Sequence, residues 1–208
     1  MNYTKAREAH YEKFLGPITQ PLMHSSDQKQ PHIDIYQFEP IADRPYWVLI
    51  TGGMSDLRQH IPSKFAGKVA PRAEILLHAA EPKPWMFNVL KGLAEMPFDD
   101  KTFLHWWHTV PNGKPMTAEP SELTNFLFLP PYYEGADFVT LHLDGDRVDF
   151  LWMVPITDGE LSYKLKYGVE ALETLFEEAH MSLVIDEKRS SLVPNQASTK
   201  KWWQVWKS

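Results

Sequence analysis

The sequence predicts an α+β protein, a two-layer α/β sandwich in which helices cover a mixed, largely antiparallel sheet. Helical patterns stand near both ends of the chain and once in the middle, short apolar runs lie between them, and turn sequences separate these runs. With 208 residues and 43% hydrophobic content, the chain can bury one substantial core, since a domain of this size hides roughly 70% of its unfolded surface. We therefore expect one domain with a tail.

The first predicted element is a helix over residues 2–15. Its apolar side comprises Ala6, Ala9, His10, Phe14 and Leu15. Gly16 and Pro17 end the helix, because both residue types stop helices. Residues 16–31 are polar and contain three prolines, which predicts a connecting loop.

Strands are predicted at residues 33–38, 46–51, 73–79, 102–110 and 126–129. The run at 46–51 is almost continuously apolar, so that strand should be buried on both faces. The run at 102–110 is rich in aromatic and β-branched residues, which favour strands. A hairpin is predicted where residues 138–143 and 148–154 flank an Asp-Gly-Asp turn at 144–146.

A middle helix is predicted after Pro82 and Pro84, which are suited to a helix entry. Its buried face comprises Trp85, Val89, Leu93 and Met96. The spacing of these residues is four, four and three, the period of a helix.

The last predicted helix begins at a capping box formed by Thr157 and Glu160. Its apolar residues are Leu161, Leu165, Val169, Leu172 and Phe176. Gly168 keeps the phase of this pattern and predicts a kink or a close packing contact. Residues 186–201 are polar and predict an extended segment rather than an element.

Charge is divided unevenly along the chain. Residues 188–208 hold five bases and no acids, whereas the preceding 187 residues hold 16 bases and 27 acids. Such an acidic body argues against nucleic acid as the main partner, because phosphate binding needs a clustered basic face.

The absence of cysteine excludes disulfides, thiolate nucleophiles and Cys-ligated metals, and it suits a reducing compartment. The charged first residues lack the apolar run of a signal peptide, and no stretch approaches the roughly 20 apolar residues that span a bilayer. We expect a cytoplasmic protein with no cofactor and no stable membrane insertion.

Histidines near aspartates are the candidates for catalysis. His105 and His108 are three residues apart, which would let them share a metal on a helix, but positions three apart in a strand face opposite sides. His142 precedes the aspartates of the predicted hairpin, whose spacing does not fit an EF-hand calcium loop. Structural histidines are the favoured interpretation, and a hydrolase or lyase using these residues is the alternative.

Residues 52–57, GGMSDL, follow a buried strand, where nucleotide-binding loops also lie. They match neither GxGxxG nor GxxxxGK[ST], and no lysine is placed to reach a phosphate. Two glycines permit a sharp turn, and Ser55 and Asp56 are helix N-cap residue types. The sequence therefore favours a structural turn.

Three tryptophans framed by lysines, Trp202, Trp203 and Trp206, lie close to the C-terminus. They are suited to anchor a protein partner or an anionic membrane surface, which would make the chain a peripheral membrane binder. They are equally suited to fold back onto the acidic body of the chain. Both interpretations stay open.

Several segments taken together resemble the suppressor of fused family, in particular its short bacterial members. These segments are residues 47–57, 97–111, 126–131, 154–161, 168–178 and 184–190. The first resembles a family strand that ends in a glycine, followed by a hydrophobic residue and Ser-Asp-Leu. The segments at 154–190 form the most specific match. The resemblance covers roughly residues 30–193, so we expect a domain over 1–193 and a Trp/Lys-rich tail over 194–208.

This resemblance implies a helix-covered mixed sheet and a protein-binding role without known catalysis. The animal relative restrains a zinc-finger transcription factor by clamping a peptide between two domains, of which one fits here. Bacterial members are proposed to be immunity proteins that neutralise toxins, and an acidic surface would suit a basic nuclease. We therefore expect a non-catalytic binding module. The predicted partner-binding residues are Asp56, Lys201, Trp202, Trp203 and Trp206.

Overall fold

A mixed sheet with helices on both faces forms the protein, whose computed structural model describes residues 2–20, 22–24, 29–117 and 119–194. The strands in these residues are β1 (Met23–His24), β2 (Asp34–Phe38), β3 (Trp47–Gly52), β4 (Arg72–Ala79), β5 (Thr109–Pro111), β6 (Leu123–Leu129), β7 (Thr140–Leu143) and β8 (Asp146–Thr157). The helices are α1 (Tyr3–Leu15), α2 (Pro84–Asp99), α3 (Asp158–Tyr167) and α4 (Val169–Glu178). Short 3-10 turns lie at Met54–Asp56, Ser63–Phe65 and Tyr132–Glu134.

The strand order is β1-β2-β3-β4-β8-β6-β5. Among the described strands, β4 and β8 pair in parallel and the other neighbours pair antiparallel. The long strand β8 is shared, because its first residues pair with β7 and its last residues pair with β6. The predicted α+β class with a mixed, largely antiparallel sheet is confirmed.

Successive side chains of each central strand point to opposite faces of the sheet, so each strand contributes to two separate cores. Leu49 and Ile75 face the core that α2 covers through Leu90. Ile50 faces the other core, which α1 and α4 cover with residues such as Tyr11. The sheet thus carries helices on both faces, one layer more than the predicted two-layer sandwich.

The predicted hairpin is confirmed, and its turn is tighter than expected. Asp144 and Gly145 both have positive φ, 49° and 79°, as a two-residue hairpin turn requires. Asp146 is the first residue of β8 and pairs with Leu143. The capping box is also confirmed, because Glu160 N donates to Thr157 Oγ1 at 3.2 Å and Thr157 N donates to Glu160 Oε2 at 2.9 Å.

The predicted bounds of the first helix are confirmed, but its buried face is different. The helix buries Arg7, Tyr11 and Leu15, which are four residues apart, whereas Ala9 is exposed. An apolar pattern does not reveal this face, because one of its three positions is a cation.

The predicted strand at 102–110 is mostly wrong, since the strand is Thr109–Pro111. Before it, Trp107 N donates to Phe128 O of β6, and Phe128 N donates to His108 O. Trp107 has a φ of 66°, which interrupts an extended chain. The aromatic residues here also pack on one another; the ring planes of Trp106 and Trp107 lie at 73° with centroids 6.0 Å apart.

The predicted last helix is two helices. Gly168 has φ 93° and ψ 167°, so the chain leaves the helical conformation between α3 and α4 rather than kinking within one helix. Leu165, predicted to be buried, is 74% exposed on α3. No helix in the described residues is both long and apolar enough to cross a membrane.

The turn after β3 gives the first testable prediction. Gly53 has φ 109°, and a Cβ atom there would lie 1.9 Å from the carbonyl oxygen of His32. Gly67 also has a positive φ, 74°, but open space around it. We expect Gly67→Ala to cost about 1–2 kcal/mol of unfolding free energy for the left-handed backbone alone.

Gly53→Ala should cost more, above roughly 3 kcal/mol, because the clash adds to the backbone strain. Urea denaturation of both variants measures the difference. Equal losses in the two variants would contradict the close packing of Gly53 on His32.

Candidate functional site

A buried carboxylate organises the turn that follows β3. Glu74 in β4 has no exposed surface. Its Oε1 accepts from Gly53 N at 3.1 Å, Ser55 N at 3.0 Å and Ser55 Oγ at 2.6 Å, and its Oε2 accepts from Thr51 Oγ1 at 2.6 Å. The segment GGMSDL therefore wraps around a protein carboxylate, in agreement with the predicted structural turn.

The guanidinium of Arg7 in α1 enters the same cluster. It is 2% exposed, its Nε lies 3.5 Å from Glu74 Oε1, and its Nη1 donates to Asp56. Burial lowers the pKa of Arg7, but the negative charges of Glu74 and Asp56 outweigh burial, so the net shift is upward. Burial raises the pKa of Glu74, against the opposing effects of Arg7 and the hydrogen bonds.

A second arginine ties this turn to the hairpin. Arg72 Nη1 donates to the carbonyl oxygens of Ser55 and Asp56 at 2.8 and 2.9 Å, and Arg72 Nε donates to Asp146 at 2.8 Å. Arg58 also pairs with Asp146, and its hydrogen bond is the main cause that lowers the pKa of that carboxyl. Asp56, predicted to bind a partner, is engaged by Arg7 with 40% of its side chain exposed.

A groove of about 430 Å³ lies between α4, the end of β6 and the middle of β8. Its residues are Leu129, Tyr132, Tyr133, Trp152, Glu173, Phe176, Glu177, His180, Met181 and Leu183. The floor is apolar and closed, since Leu129, Trp152 and Phe176 are each at most 5% exposed. Tyr132 and Tyr133 on the rim are each 59% exposed.

The tyrosine rim is held in place by a buried anchor. Glu134 ends the same 3-10 turn, and its Oε1 lies 2.9 Å from His78 Nε2 in β4 and accepts from Tyr46 Oη at 3.3 Å. Tyr133 lies edge-on to Trp152 with ring centroids 5.8 Å apart. The turn therefore presents two exposed rings from a fixed backbone.

The other rim of the groove is acidic. Glu173 and Glu177 are four residues apart on α4 and both line the groove. Burial raises the pKa of Glu173, and the neighbouring charges of Glu177 and Glu170 add to this rise. A cation placed here would relieve the repulsion between these carboxylates.

Of the three candidate histidines, His105 and His108 lie next to each other. The rings of His105 and His108 are perpendicular with centroids 6.0 Å apart, and His142 is exposed on β7. His105 Nδ1 lies 3.7 Å from Asp149 Oδ2, beyond hydrogen-bonding distance, while Arg147 pairs with that carboxylate at 2.9 Å. None of these histidines lines the groove.

The other predicted partner-binding residues, Lys201, Trp202, Trp203 and Trp206, lie outside the described residues, as does most of the predicted tail. Their role stays a prediction.

Comparison with known proteins identifies the family. The sequence model described as suppressor of fused protein (SUFU) matches residues 29–190, most of the chain. The chain belongs to the suppressor of fused family. Its fold agrees with this: a suppressor of fused homologue from Neisseria gonorrhoeae FA 1090 matches with a TM-score of 0.69 and 24% identity, over 94% of this chain and 99% of that one.

Two further suppressor of fused structures share the fold. One is a Sufu–Fu complex, with a TM-score of 0.69, 20% identity and coverage of 91% of this chain and 92% of that one. The other is Drosophila Suppressor of Fused, with a TM-score of 0.68 and 20% identity over 95% of this chain and 53% of that one.

A curated relative is named for its activity. The immunity protein YqcF from Bacillus subtilis (strain 168) is 30% identical over 78 residues, which span 38% of this chain and 40% of that relative.

Sequence reasoning found the suppressor of fused motif at 47–57 but missed what the motif encloses. In the sequence, Glu74 is a single polar residue within a predicted buried strand, and Arg7 is one of several charged residues of a predicted helix. The groove beside α4 is formed by residues that lie far apart in the sequence. Its clearest sequence signal is Tyr132-Tyr133 directly after Pro130-Pro131, because adjacent prolines end a strand and leave the next side chains outside the sheet.

The Arg7–Glu74 contact gives a stability prediction. Arg7→Met should lower the unfolding free energy by about 3–5 kcal/mol, because it leaves a fully buried carboxylate without its cation. Lys5→Met, an exposed position on the same helix, should change it by less than about 0.5 kcal/mol. Urea denaturation at pH 7 measures both, and a similar value for the two variants would refute the role given to Arg7.

His105 gives a pH prediction. Burial, with His108 and Arg147 adding to it, lowers the pKa of His105 to about 4, below the ordinary value of about 6.5. The folded state therefore binds fewer protons than the unfolded state in this window, so His105 should reduce stability as the pH falls from about 6.5 to 4. NMR titration should show that the His105 imidazole is neutral at pH 5.5. A titration midpoint of His105 near pH 6.5 would contradict this prediction.

Proposed function

We propose that this suppressor of fused protein is a non-catalytic immunity protein that binds and neutralises a bacterial toxin in the cytoplasm. The observation that carries the proposal is the likeness to the immunity protein YqcF, which covers 40% of that relative. The groove beside α4 supports it with a surface of the composition that protein partners bind.

The groove combines the two parts of a protein-binding site. Its apolar floor is closed and fixed by the sheet, and the two exposed tyrosines of its rim can pack on a partner. Tyrosines are enriched at interface hot spots because they bury a large area at a low entropic cost. A partner that covers Tyr132 and Tyr133 would remove from water the most exposed aromatic pair of adjacent residues in the described chain.

Charge favours a basic partner. Glu173 and Glu177 line the groove, and residues 1–187 carry 16 bases against 27 acids. An acidic surface steers a basic protein toward it and raises the association rate, most strongly at low salt. We therefore propose a basic toxin, such as a nuclease, and no nucleic acid as a direct partner.

The Trp/Lys-rich tail is proposed as a second contact with the toxin. Trp202, Trp203 and Trp206 supply anchor side chains, and Lys201 lies beside them. Asp56, which does not line the groove, is proposed as a separate contact through the exposed part of its side chain.

Co-expression with the toxic product of the neighbouring gene tests the function. Wild-type protein should restore growth of the host and co-purify with the toxin. No rescue and no complex with any neighbouring gene product would overturn the proposed function.

Substitution of the tyrosine rim tests the groove. Tyr132→Ser combined with Tyr133→Ser should weaken binding by roughly 10- to 100-fold, because two hot-spot rings are lost. Tyr167→Ser is the matched control, since Tyr167 is 51% exposed on α3 and does not line the groove. Calorimetric titration with the purified toxin measures the affinities, and equal affinities for all three proteins would exclude the groove.

Charge reversal tests the proposed basic partner. Glu173→Lys combined with Glu177→Lys should slow association with the toxin and reduce the dependence of the association rate on salt. Glu178→Lys is on the same helix but outside the groove, so it should change the association rate less.

Removal of residues 195–208 tests the tail in the same binding assay. An unchanged affinity for the toxin would exclude a tail contact.

A further inference from the structure

Two histidines and an aspartate form a side-chain cluster at the β1 edge of the sheet. His24, His32 and Asp34 each offer one ligand atom, and these atoms lie within 4.8 Å of one another. His24 Nδ1 is 2.8 Å from Asp34 Oδ1, and His32 Nε2 is 3.2 Å from the same oxygen.

These distances suit a metal ion. Zinc binds imidazole nitrogen and carboxylate oxygen at roughly 2.0–2.2 Å, so neighbouring ligands of a tetrahedral ion lie about 3.3–3.5 Å apart. The two nitrogen-to-oxygen distances, 2.8 and 3.2 Å, are shorter than this spacing, so the imidazoles would move away from the carboxylate to admit an ion. Two imidazoles with one carboxylate are a common ligand set for divalent first-row transition metals.

Two of the three ligands stand on a fixed backbone. Asp34 begins β2 and lies between strands, opposite Gly52 in β3 and His24 in β1. The carbonyl of His32 packs on Gly53 so closely that a Cβ atom there would clash with it. Ile33 between them is 1% exposed in the core, so the side chains of His32 and Asp34, two residues apart, project away from that core together.

The third ligand comes from a weakly held element. Strand β1 has two residues, both exposed, and it pairs with β2 only through Met23 and His24. Such a short edge strand gains little from its own ladder. An ion shared by His24 and the two fixed ligands would fasten this strand to the sheet.

We propose that His24, His32 and Asp34 form a surface site for a divalent transition-metal ion, zinc being the best match to the donors, and that the ion fastens β1 to the sheet. The side chains are 63%, 41% and 20% exposed, so the ion has access from solvent and keeps a coordination position for water. None of the three residues lines the groove beside α4.

Calorimetric titration of the untagged full chain with ZnCl2 at pH 7.5 tests the site. We expect one saturable site of micromolar affinity, and titration with CoCl2 should give the visible absorption of a low-coordinate cobalt ion. His24→Ala and Asp34→Asn should each weaken zinc binding by roughly tenfold or more, since each removes a direct ligand. His60→Ala, an exposed histidine on another loop, should keep the wild-type affinity.

Hydrogen exchange gives a readout specific to β1. Zinc should slow exchange of the amides of Met23 and His24 in the wild type and leave it unchanged in Asp34→Asn. The absence of saturable zinc binding, or wild-type affinity in both ligand variants, would overturn the site. Zinc binding without slower exchange would overturn the fastening of β1. Circular dichroism of the variants checks that their fold is intact.

Discussion

The carboxylate of Glu74 is the constraint around which the N-terminal half of the sheet is arranged. An ion without exposed surface is tolerated only when its hydrogen-bonding capacity and charge are both compensated. Thr51, Gly53 and Ser55 supply the hydrogen bonds, and Arg7 supplies the charge. The direction of the chain after β3 and the docking of α1 against the sheet therefore follow from the requirements of one side chain.

Local chemistry made part of this fold predictable from the sequence. An Asp-Gly pair between two β-rich runs specifies a hairpin because both residues tolerate positive φ, and Thr157 with Glu160 specifies a helix start because each caps a backbone amide of the other. Such signals act within four residues, and the structure agrees with them.

The features that escaped prediction depend on long-range contacts. Trp107 adopts a positive φ within an aromatic run whose composition is typical of a strand, and its ring packs on that of Trp106. The groove joins residues from 129 to 183, and the contact of Glu134 with His78 beneath its rim spans more than fifty residues. A single sequence contains the residues of such a site but no measure of which of them meet.

The late position of strand β8 in the sequence affects folding of the chain during its synthesis. It is the partner of β4, β6 and β7, and its pairing with β4 joins residues 72–76 to residues 148–152. On the ribosome, β4 can pair with β3 at once, but its second native neighbour, β8, exists only after more than seventy further residues. Until then, β1 to β4 present an open apolar edge, which is the kind of surface that chaperones cover and that aggregates extend. The nascent chain should therefore be most vulnerable in the interval between the synthesis of β4 and the synthesis of β8.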